Sequence, residues 1–306
     1  MRTVKIGTRG SKLALWQAEY VEELLKAQGL TTEIVIIETK GDKILDKAIS
    51  KIGSKGLFTE ELEDQLRDGS IDIAVHSAKD VQSSLPDDLH LIAFTQREIV
   101  NDVLLSDSAL DFDKQENIVI GTSSVRRIAM LKHHYPKAQA VNVRGNLQTR
   151  LQKMQEGHCD ALLLAYAGVH RMRYDDKIVY RFPTEKFTPA VGQGTVAVEA
   201  SRNMETGLAQ AIKAAINDPE TEYCLLAERA YLRTLEGGCS IPAFGLATYS
   251  DGMVNFTAGI IEVDGSHEVR KTMQATPEGA EQMGDEMAAW VLNHGGKEIL
   301  AKIRQQ

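Results

Sequence analysis

Residues 72–80 form a short apolar run that ends in charged side chains. Residues 73–75 are typical of a strand buried on both faces, and Lys79 and Asp80 follow that strand almost at once. In open α/β sheets, ligands bind beyond the carboxyl ends of the strands. A carboxylate next to an ammonium group at such a place can bind and polarise a substrate. An exposed turn after an ordinary strand would show the same nine residues, so both interpretations stay open from this segment alone.

Similar strand ends recur along the chain and carry hydroxyl and cationic side chains. One predicted set, in the first third of the chain, is Arg9, Ser11, Lys79 and Asp80; the second is Thr122, Ser123, Ser124, Arg126, Arg127, Arg144 and Arg150. Helix N-termini favour anions through their free backbone N–H groups. Arginine adds a planar fork that matches a carboxylate or a phosphate. These residues therefore predict a polyanionic ligand, whereas solvated helix faces would explain only one or two of the arginines.

Cys239 lies in a glycine-containing loop, directly after Gly237 and Gly238. The glycines allow another group to approach the backbone closely. A buried, unreactive thiol is an equally good interpretation of Cys239 from the spacing alone. Cys159, at a strand start, and Cys224, in a helix, are interpreted as small buried hydrophobic residues.

The elements that position these residues follow a duplicated plan. Residues 4–11 and residues 118–124 each predict a strand followed by the start of a helix. Each unit continues with a second strand, a helix and a closing strand that begins after a glycine and an aspartate, at residues 69–72 and 157–160. The sequence therefore predicts two similar α/β lobes around a cleft, as in type II periplasmic binding proteins, which close by hinge motion.

The last third of the chain predicts a small α+β domain. Helical patterns around residues 208–216 and 225–230 are separated by Pro219, a favourable helix start. Strand-like runs at residues 243–249, 253–263 and 267–276 are joined by two Asp-Gly pairs, which are strong hairpin signals. A final helix carries Met283, Met287, Trp290 and Val291. We expect lobe 1 at residues 1–96 and 195–214, lobe 2 at 99–190 and the C-terminal domain, with a three-stranded antiparallel sheet, at 218–306.

Composition limits the function classes. At 306 residues the chain exceeds one ordinary hydrophobic core. The formal charge of -8 argues against bulk binding to nucleic acid or to anionic membranes, though not against a local basic pocket. No apolar run is long enough to span a bilayer. The three cysteines include no pair at metal-ligand spacing and fit a reducing compartment, so we expect a cytoplasmic protein without a metal.

Five motifs, in order along the chain, resemble the porphobilinogen deaminase (hydroxymethylbilane synthase) family. They are His76-Ser77-Ala78-Lys79-Asp80, Gly121-Thr122-Ser123-Ser124-Val125-Arg126-Arg127, Val143-Arg144-Gly145-Asn146, Ala190-Val191-Gly192-Gln193-Gly194 and Glu236-Gly237-Gly238-Cys239. Each motif is weak by itself, but their order over nearly the whole chain is specific. The resemblance implies a monomeric cytoplasmic transferase of tetrapyrrole and haem biosynthesis. It would join four porphobilinogen units head to tail into hydroxymethylbilane, with loss of ammonia at each step.

The resemblance also implies a dipyrromethane cofactor, attached by a thioether to Cys239, and roles for the polar strand ends. Asp80 would be catalytic. Cofactor-binding residues would be Lys79, Thr122, Ser123, Ser124, Arg126, Arg127, Arg150 and Gly168, and substrate-binding residues would be Arg9, Ser11, Arg144, Arg171, Gln193 and Lys55. Each pyrrole unit carries an acetate and a propionate, which is consistent with the arginine-rich strand ends.

Several assignments have alternatives. Lys79 either pairs with cofactor carboxylates or is a surface cation, and His76 is interpreted as a hydrogen-bonded strand-end residue rather than an acid or base. The segment around Lys55 is either a flap or a solvated loop. Residues 97–102 lack a proline and an arginine that are frequent in the family, and Ser240 replaces a usual glutamine. A solute-binding protein and a phosphate-ligand transferase are the rival functions for two such lobes.

Overall fold

The structure, a computed structural model, describes residues 2–39, 59–237 and 241–304. The chain divides into two compact units. Unit 1 consists of Met1–Glu98 and Gly194–Glu222, and unit 2 of Ile99–Gln193 and Tyr223–Gln306. Residues 218–306 as a separate third domain stay a prediction.

Unit 1 is an α/β sheet with helices. Its elements are β1 (Val4–Arg9), α1 (Lys12–Ala27), β2 (Thr32–Ile37), α2 (Glu60–Asp68), β3 (Ile73–Ser77), β4 (Leu89–Phe94), β10 (Val196–Ser201) and α6 (Thr206–Ile216). The five strands lie in the order β2-β1-β3-β10-β4. β1 is parallel to both β2 and β3, whereas β10 is antiparallel to β3 and β4. The core of the unit is formed where α1 and α6 pack their apolar faces on this sheet.

Helix α1 shows how local sequence sets the element bounds. The Ser11 hydroxyl accepts a hydrogen bond from the backbone N–H of Ala14 and caps the first turn. Ala18, Val21 and Leu25 are fully buried, as their spacing predicts. The helix ends at Ala27, and Gly29 takes the left-handed conformation with φ of 76° that favours glycine.

Unit 2 repeats the plan of unit 1. Its elements before Gln193 are β5 (Asp102–Leu105), β6 (Val119–Gly121), α3 (Val125–His134), β7 (Gln139–Val141), α4 (Leu147–Gln155), β8 (Ala161–Ala165), α5 (Tyr166–Arg171) and β9 (Ile178–Arg181). The strand order is β7-β6-β8-β5-β9. β6 is parallel to β7 and β8, and β5 is antiparallel to β8 and β9. The predicted pair of similar α/β lobes is confirmed.

The remainder of unit 2 contains the predicted three-stranded antiparallel sheet. Its elements are β11 (Ala243–Ser250), β12 (Met253–Ile261), β13 (Glu268–Ala275), α8 (Ala280–Val291) and α9 (Lys297–Arg304), and α7 (Pro219–Thr234) precedes them. Asp251 and Gly252 have φ of 53° and 76°, as a two-residue type I′ hairpin requires. The second connection is longer than predicted, because the Asp264 carboxylate accepts the Ser266 N–H and closes a local turn. In the described part of the chain, no helix combines the length and the apolar character that a membrane span needs.

Gly121 ends β6 and starts the polar segment that follows it, and it has no room for a side chain. A Cβ atom there would lie 2.7 Å from Cys159 Sγ and 2.8 Å from Val143 Cγ2, both buried. We expect Gly121→Ala to lower the free energy of unfolding by about 1–3 kcal/mol through overpacking. Chemical denaturation measures this change. Gly279→Ala, where the nearest atom is 3.5 Å away, is the control and should stay within about 0.5 kcal/mol of the parent. Equal effects of the two substitutions would contradict the packing argument.

Candidate functional site

Unit 1 gathers polar side chains at one edge of its sheet. β1 and β3 are parallel, with Gly7 opposite Ala74, so the residues that follow both strands lie at the same edge. Arg9 ends β1 and Ser11 caps α1, while Lys79 and Asp80 form a short 3₁₀ turn directly after β3. We call these four residues the unit 1 edge. The strand polarity therefore brings together the unit 1 residues that the sequence predicts.

The turn that carries Asp80 is held by its neighbours. The backbone N–H of Ala78 donates to Thr195 O at 3.0 Å, and the Gln17 amide donates to the Ser77 hydroxyl at 2.8 Å. Asp80 itself is exposed. An exposed carboxylate on a turn with a fixed backbone is accessible to a ligand.

His76 is a strand-end residue tied to a buried carboxylate. Its Nε2 lies 2.9 Å from Oε2 of Glu199 on β10, and Glu199 is fully buried. This contact confirms the interpretation of His76 as a hydrogen-bonded residue.

Unit 2 has an equivalent edge, richer in cations. Gly121 of β6 lies opposite Val141 of β7 and Leu162 of β8, and all three strands run in the same direction. The segments that follow them therefore meet at one edge of the sheet. We call the following residues the unit 2 edge: Thr122, Ser123, Ser124, Arg126, Arg127, Arg144, Arg150, Gly168 and Arg171.

Hydroxyl groups cap the helix that follows β6. The Ser124 hydroxyl accepts from the backbone N–H of Arg127 at 3.4 Å, and buried Thr122 accepts from the N–H of Ser124 at 3.3 Å. A hydroxyl that accepts one hydrogen bond still has a proton to donate. Ser124 can therefore cap α3 and bind an anion at the same time, at the end where the helix dipole favours negative charge.

Arg126 and Arg127 are buried and share one carboxylate, that of Asp102. Arg126 Nη2 donates to Oδ2 at 2.7 Å, and Arg127 donates to Oδ1 through Nε at 3.0 Å and Nη2 at 2.7 Å. Arg126 also binds Thr188 O and Arg127 binds Leu163 O. The sequence predicts that both arginines bind an anionic ligand, whereas the structure shows them bound to a carboxylate of the protein itself. The cluster of two guanidinium groups and one carboxylate keeps a net positive charge at the start of α3.

Asp102 is the residue that sequence reasoning missed. It is fully buried, and it also accepts from the Gln193 amide at 3.0 Å. Burial raises its pKa, but Arg126 and Arg127 oppose that effect and bring the pKa down to about 2. A signal was present, because Asp102 directly precedes the apolar residues 103–105, and a carboxylate that is buried with such a strand needs a cation.

Two of the other cations of the unit 2 edge, Arg144 and Arg150, are partly accessible. Arg144 Nε lies 3.3 Å from Asn142 Oδ1, and Arg150 Nε donates to Gly145 O at 2.8 Å, which orients both side chains at the start of α4. Both side chains are half-buried. Arg171 is buried in the last turn of α5, and Gly168 lies in the same helix.

Two predicted site residues, Cys239 and Lys55, lie outside the described residues. Gln193 is 1% exposed, with its amide donating to Val100 O as well as to Asp102. Its visible role is therefore to hold Asp102.

Comparison with known proteins gives consistent matches along the chain. Residues 4–208 match the family model described as "Porphobilinogen deaminase, dipyromethane cofactor binding domain", and residues 222–293 match "Porphobilinogen deaminase, C-terminal domain". A porphobilinogen deaminase of Cytophaga hutchinsonii is 55% identical over 99% of this chain and 98% of its own length. One of Desulfosudis oleivorans is 52% identical over the same shares. Among solved structures, the Bordetella pertussis BvgS periplasmic VFT2 domain aligns with a TM-score of 0.43 and 19% identity, over 70% of this chain and 86% of that one.

Asp102→Asn should destabilise the protein strongly, because it leaves two buried guanidinium groups without their carboxylate. Breaking a buried ion pair in this way costs about 3–5 kcal/mol. Urea denaturation at neutral pH measures the loss.

The difference in free energy of unfolding between the wild type and Asp102→Asn should also become smaller in acid. The folded pKa of Asp102 is about 2, below its ordinary 3.8, so the stabilisation is complete above pH 3.8 and disappears as the pH falls towards 2.

The lowered pKa of Asp102 corresponds to about 2 kcal/mol of stabilisation of the folded state. About 1 kcal/mol of this stabilisation is lost by pH 3. Asp111→Asn is the matched control, since Asp111 is half-exposed and paired with exposed Lys114. A stability gap between wild type and Asp102→Asn that stays constant from pH 6 to pH 3 would show that Asp102 is not the acid-sensitive group.

Proposed function

This chain belongs to the porphobilinogen deaminase family, and we propose that Asp80 is its catalytic residue. The protein is a hydroxymethylbilane synthase. It carries the family's dipyrromethane cofactor binding domain, and it joins porphobilinogen molecules head to tail with release of ammonia. The match over the whole chain is the observation that carries this function, and it favours the deaminase over a solute-binding protein or a phosphate-ligand transferase.

Asp80 acts on the charge that develops on the substrate. When ammonia leaves porphobilinogen, the remaining pyrrole becomes electron-poor, and its positive charge is shared with the ring nitrogen. A carboxylate within hydrogen-bond reach of that N–H stabilises the cation as it forms and can take part in proton transfer. At a separation of about 4 Å and an effective dielectric constant of about 20, a unit charge pair is worth roughly 4 kcal/mol.

The position of Asp80 supports this role. The Ala78 and Ser77 contacts fix the turn, so the backbone that carries the carboxylate does not have to be ordered when substrate arrives. Lys79, its half-buried neighbour, supplies a positive charge at the same edge. We assign Lys79 to the carboxylates of the cofactor.

The unit 2 edge has the donor set that the cofactor needs. Dipyrromethane, when bound, supplies the primer onto which substrate units are joined, and it carries carboxylate side chains. Guanidinium groups, a helix N-terminus and hydroxyl donors bind carboxylates. The residues that would hold it are Thr122, Ser123, Ser124, Arg126, Arg127, Arg150 and Gly168. Because Arg126 and Arg127 use several N–H groups on Asp102, they would contribute through the remaining N–H groups and through net charge.

Cys239 is proposed as the attachment point of the cofactor through a thioether. The other cysteines are poor candidates, because Cys159 and Cys224 are both buried. Burial also raises the pKa of the Cys159 thiol, which disfavours the nucleophilic thiolate.

Substrate carboxylates are assigned to Arg9, Ser11, Arg144 and Arg171, with Lys55 as a further contact. The Ser11 hydroxyl caps α1 as an acceptor and keeps its proton for an anion. Gln193 was predicted to bind substrate. We now give it a positioning role, since its amide holds Asp102 and the main chain at Val100.

The protein is proposed to work as a cytoplasmic monomer without nucleic-acid or membrane partners. The net charge of -8 supports the lack of affinity for polyanions, and the cysteine usage supports a reducing compartment.

Asp80→Asn should retain the fold and the bound cofactor but lose at least ~100-fold in turnover, the scale of one lost electrostatic stabiliser. Steady-state formation of hydroxymethylbilane measures this loss, and intact mass confirms that the cofactor is present. Asp87→Asn, an exposed aspartate outside the proposed site, is the control and should keep wild-type turnover. Near-normal turnover of cofactor-loaded Asp80→Asn protein would remove Asp80 from the catalytic role.

Intact mass tests the attachment point independently. The purified protein should exceed the mass of its sequence by two condensed pyrrole units. Cys239→Ser should lack the surplus while remaining folded by circular dichroism, and Cys159→Ala should keep it. An active, unmodified wild-type protein would contradict the covalent cofactor, and a surplus that survives in Cys239→Ser would contradict only the choice of cysteine.

A further inference from the structure

Three potential metal ligands meet in unit 2 at the end of α3 opposite to its arginines. They are His133 and His134, the last two residues of α3, and Glu268, the first residue of β13. One ligand atom from each of the three lies within 4.8 Å of the others. Nε2 of His134 is 3.4 Å from Oε2 of Glu268. Zn²⁺ held at 2.0–2.1 Å from tetrahedral ligands separates those ligands by roughly 3.4 Å.

His134 presents a buried nitrogen whose hydrogen-bonding capacity is unused. Its contact with Glu268 lacks hydrogen-bond alignment, and within the described residues Nε2 of His134 has no hydrogen-bond partner. A buried polar atom without a partner is costly and requires an explanation. An ion between His134 and Glu268 would give this nitrogen a partner.

His133 is prepared for ligation by its second ring nitrogen. The Gly265 carbonyl can only accept, so Nδ1 of His133, at 2.7 Å, carries the ring proton and donates it. The lone pair is then on Nε2. Metal-bound histidines usually hold their tautomer in this way, by donating the other N–H to a carbonyl or a carboxylate.

Glu268 is held as a carboxylate with one oxygen toward His134. Arg270 Nε donates to Oε1 at 2.7 Å, and its Nη2 donates a longer hydrogen bond to Oε2 at 3.4 Å. The supporting bonds from Arg270 correspond to the outer-shell bonds of metal-ligating carboxylates.

The local field also suits a cation. His133 and His134 lie in the last turn of α3, where the helix dipole is negative. The nearest lysine of that turn, Lys132, points its ammonium group to Val263 O at 3.3 Å. Arg270 is the positive charge that an ion would meet, and it stacks on the Phe244 ring at 4.6 Å.

We propose that His133, His134 and Glu268 form a binding site for a divalent transition-metal ion, best suited to Zn²⁺. Two imidazoles and one carboxylate are a known zinc ligand set, with a fourth position for water. The ion joins the C-terminus of α3 to the start of β13, two elements of unit 2. The site lies outside the residues assigned to substrate and cofactor, and it does not depend on their roles.

The test uses purified protein with its cofactor in place, first freed of metal by a chelator. Zn²⁺ is titrated calorimetrically at neutral pH. We expect one ion per chain and a higher melting temperature with Zn²⁺ present. His134→Gln and Glu268→Gln should each weaken binding by at least tenfold, since the loss of an outer-shell partner alone costs 10–100-fold.

The matched control is His158→Gln. His158 is an exposed histidine whose Nδ1 is also bonded to a backbone carbonyl, Lys153 O at 2.9 Å, and it should keep wild-type affinity. A melting curve without metal verifies that each variant is folded. If one of the two ligand variants does not fold, the other still tests the proposal. With Co²⁺ in place of Zn²⁺, the visible absorption spectrum should be that of cobalt bound by nitrogen and oxygen ligands. Lack of binding, equal affinity in all three variants or a thiolate-to-cobalt band would each overturn the proposal.

Discussion

The buried contact of Asp102 with Arg126 and Arg127 is the constraint on which the unit 2 edge depends. Both guanidinium groups are less than a tenth exposed, and burying their charges without a carboxylate would destabilise the unit strongly. By binding Asp102, they fix the first turn of α3 against β5, the strand that lies antiparallel between β8 and β9. Gln193 adds a third support to the same carboxylate. The result is a positively charged edge in which the charge is positioned by the core of the unit rather than by flexible side chains.

A second buried carboxylate orders the glycine-rich segment that contains Gln193. Glu228 of α7 is fully buried and accepts from the backbone N–H of Gly192 at 2.7 Å and of Ala247 at 2.8 Å. Gly192 has φ of 75°, a conformation that other residues rarely adopt. One side chain of a helix thereby holds both this segment and β11. Gln193 binds Asp102, and Glu228 holds the segment that contains Gln193. A residue of the C-terminal part of unit 2 therefore helps to position Asp102.

The two units build their sites by the same physical rule. In each, one strand (β1 in unit 1 and β6 in unit 2) is parallel to both of its neighbours, and the polar residues after those strands share an edge. In each unit a serine after one of these strands also caps the next helix: Ser11 caps α1, and Ser124 caps α3. The difference lies in the side chains. Unit 1 exposes a carboxylate on a fixed turn, whereas unit 2 collects guanidinium groups, so catalysis and carboxylate binding can be assigned to different lobes.

The sequence by itself determined the elements and most of the candidate site, because these depend on local periodicity, on caps and on the polarity of strand ends. The strands before Arg9 and Lys79, the cap at Ser124 and the Asp251-Gly252 hairpin follow from short segments. Only the tertiary structure decided which side chains are paired. Asp102 lies 24 residues before Arg126, and His76 lies 123 residues before Glu199. Such contacts are absent from local patterns, because they arise when β5 and β10 enter the middle of their sheets as antiparallel strands. Burial then requires each charge to find a partner that is distant in sequence.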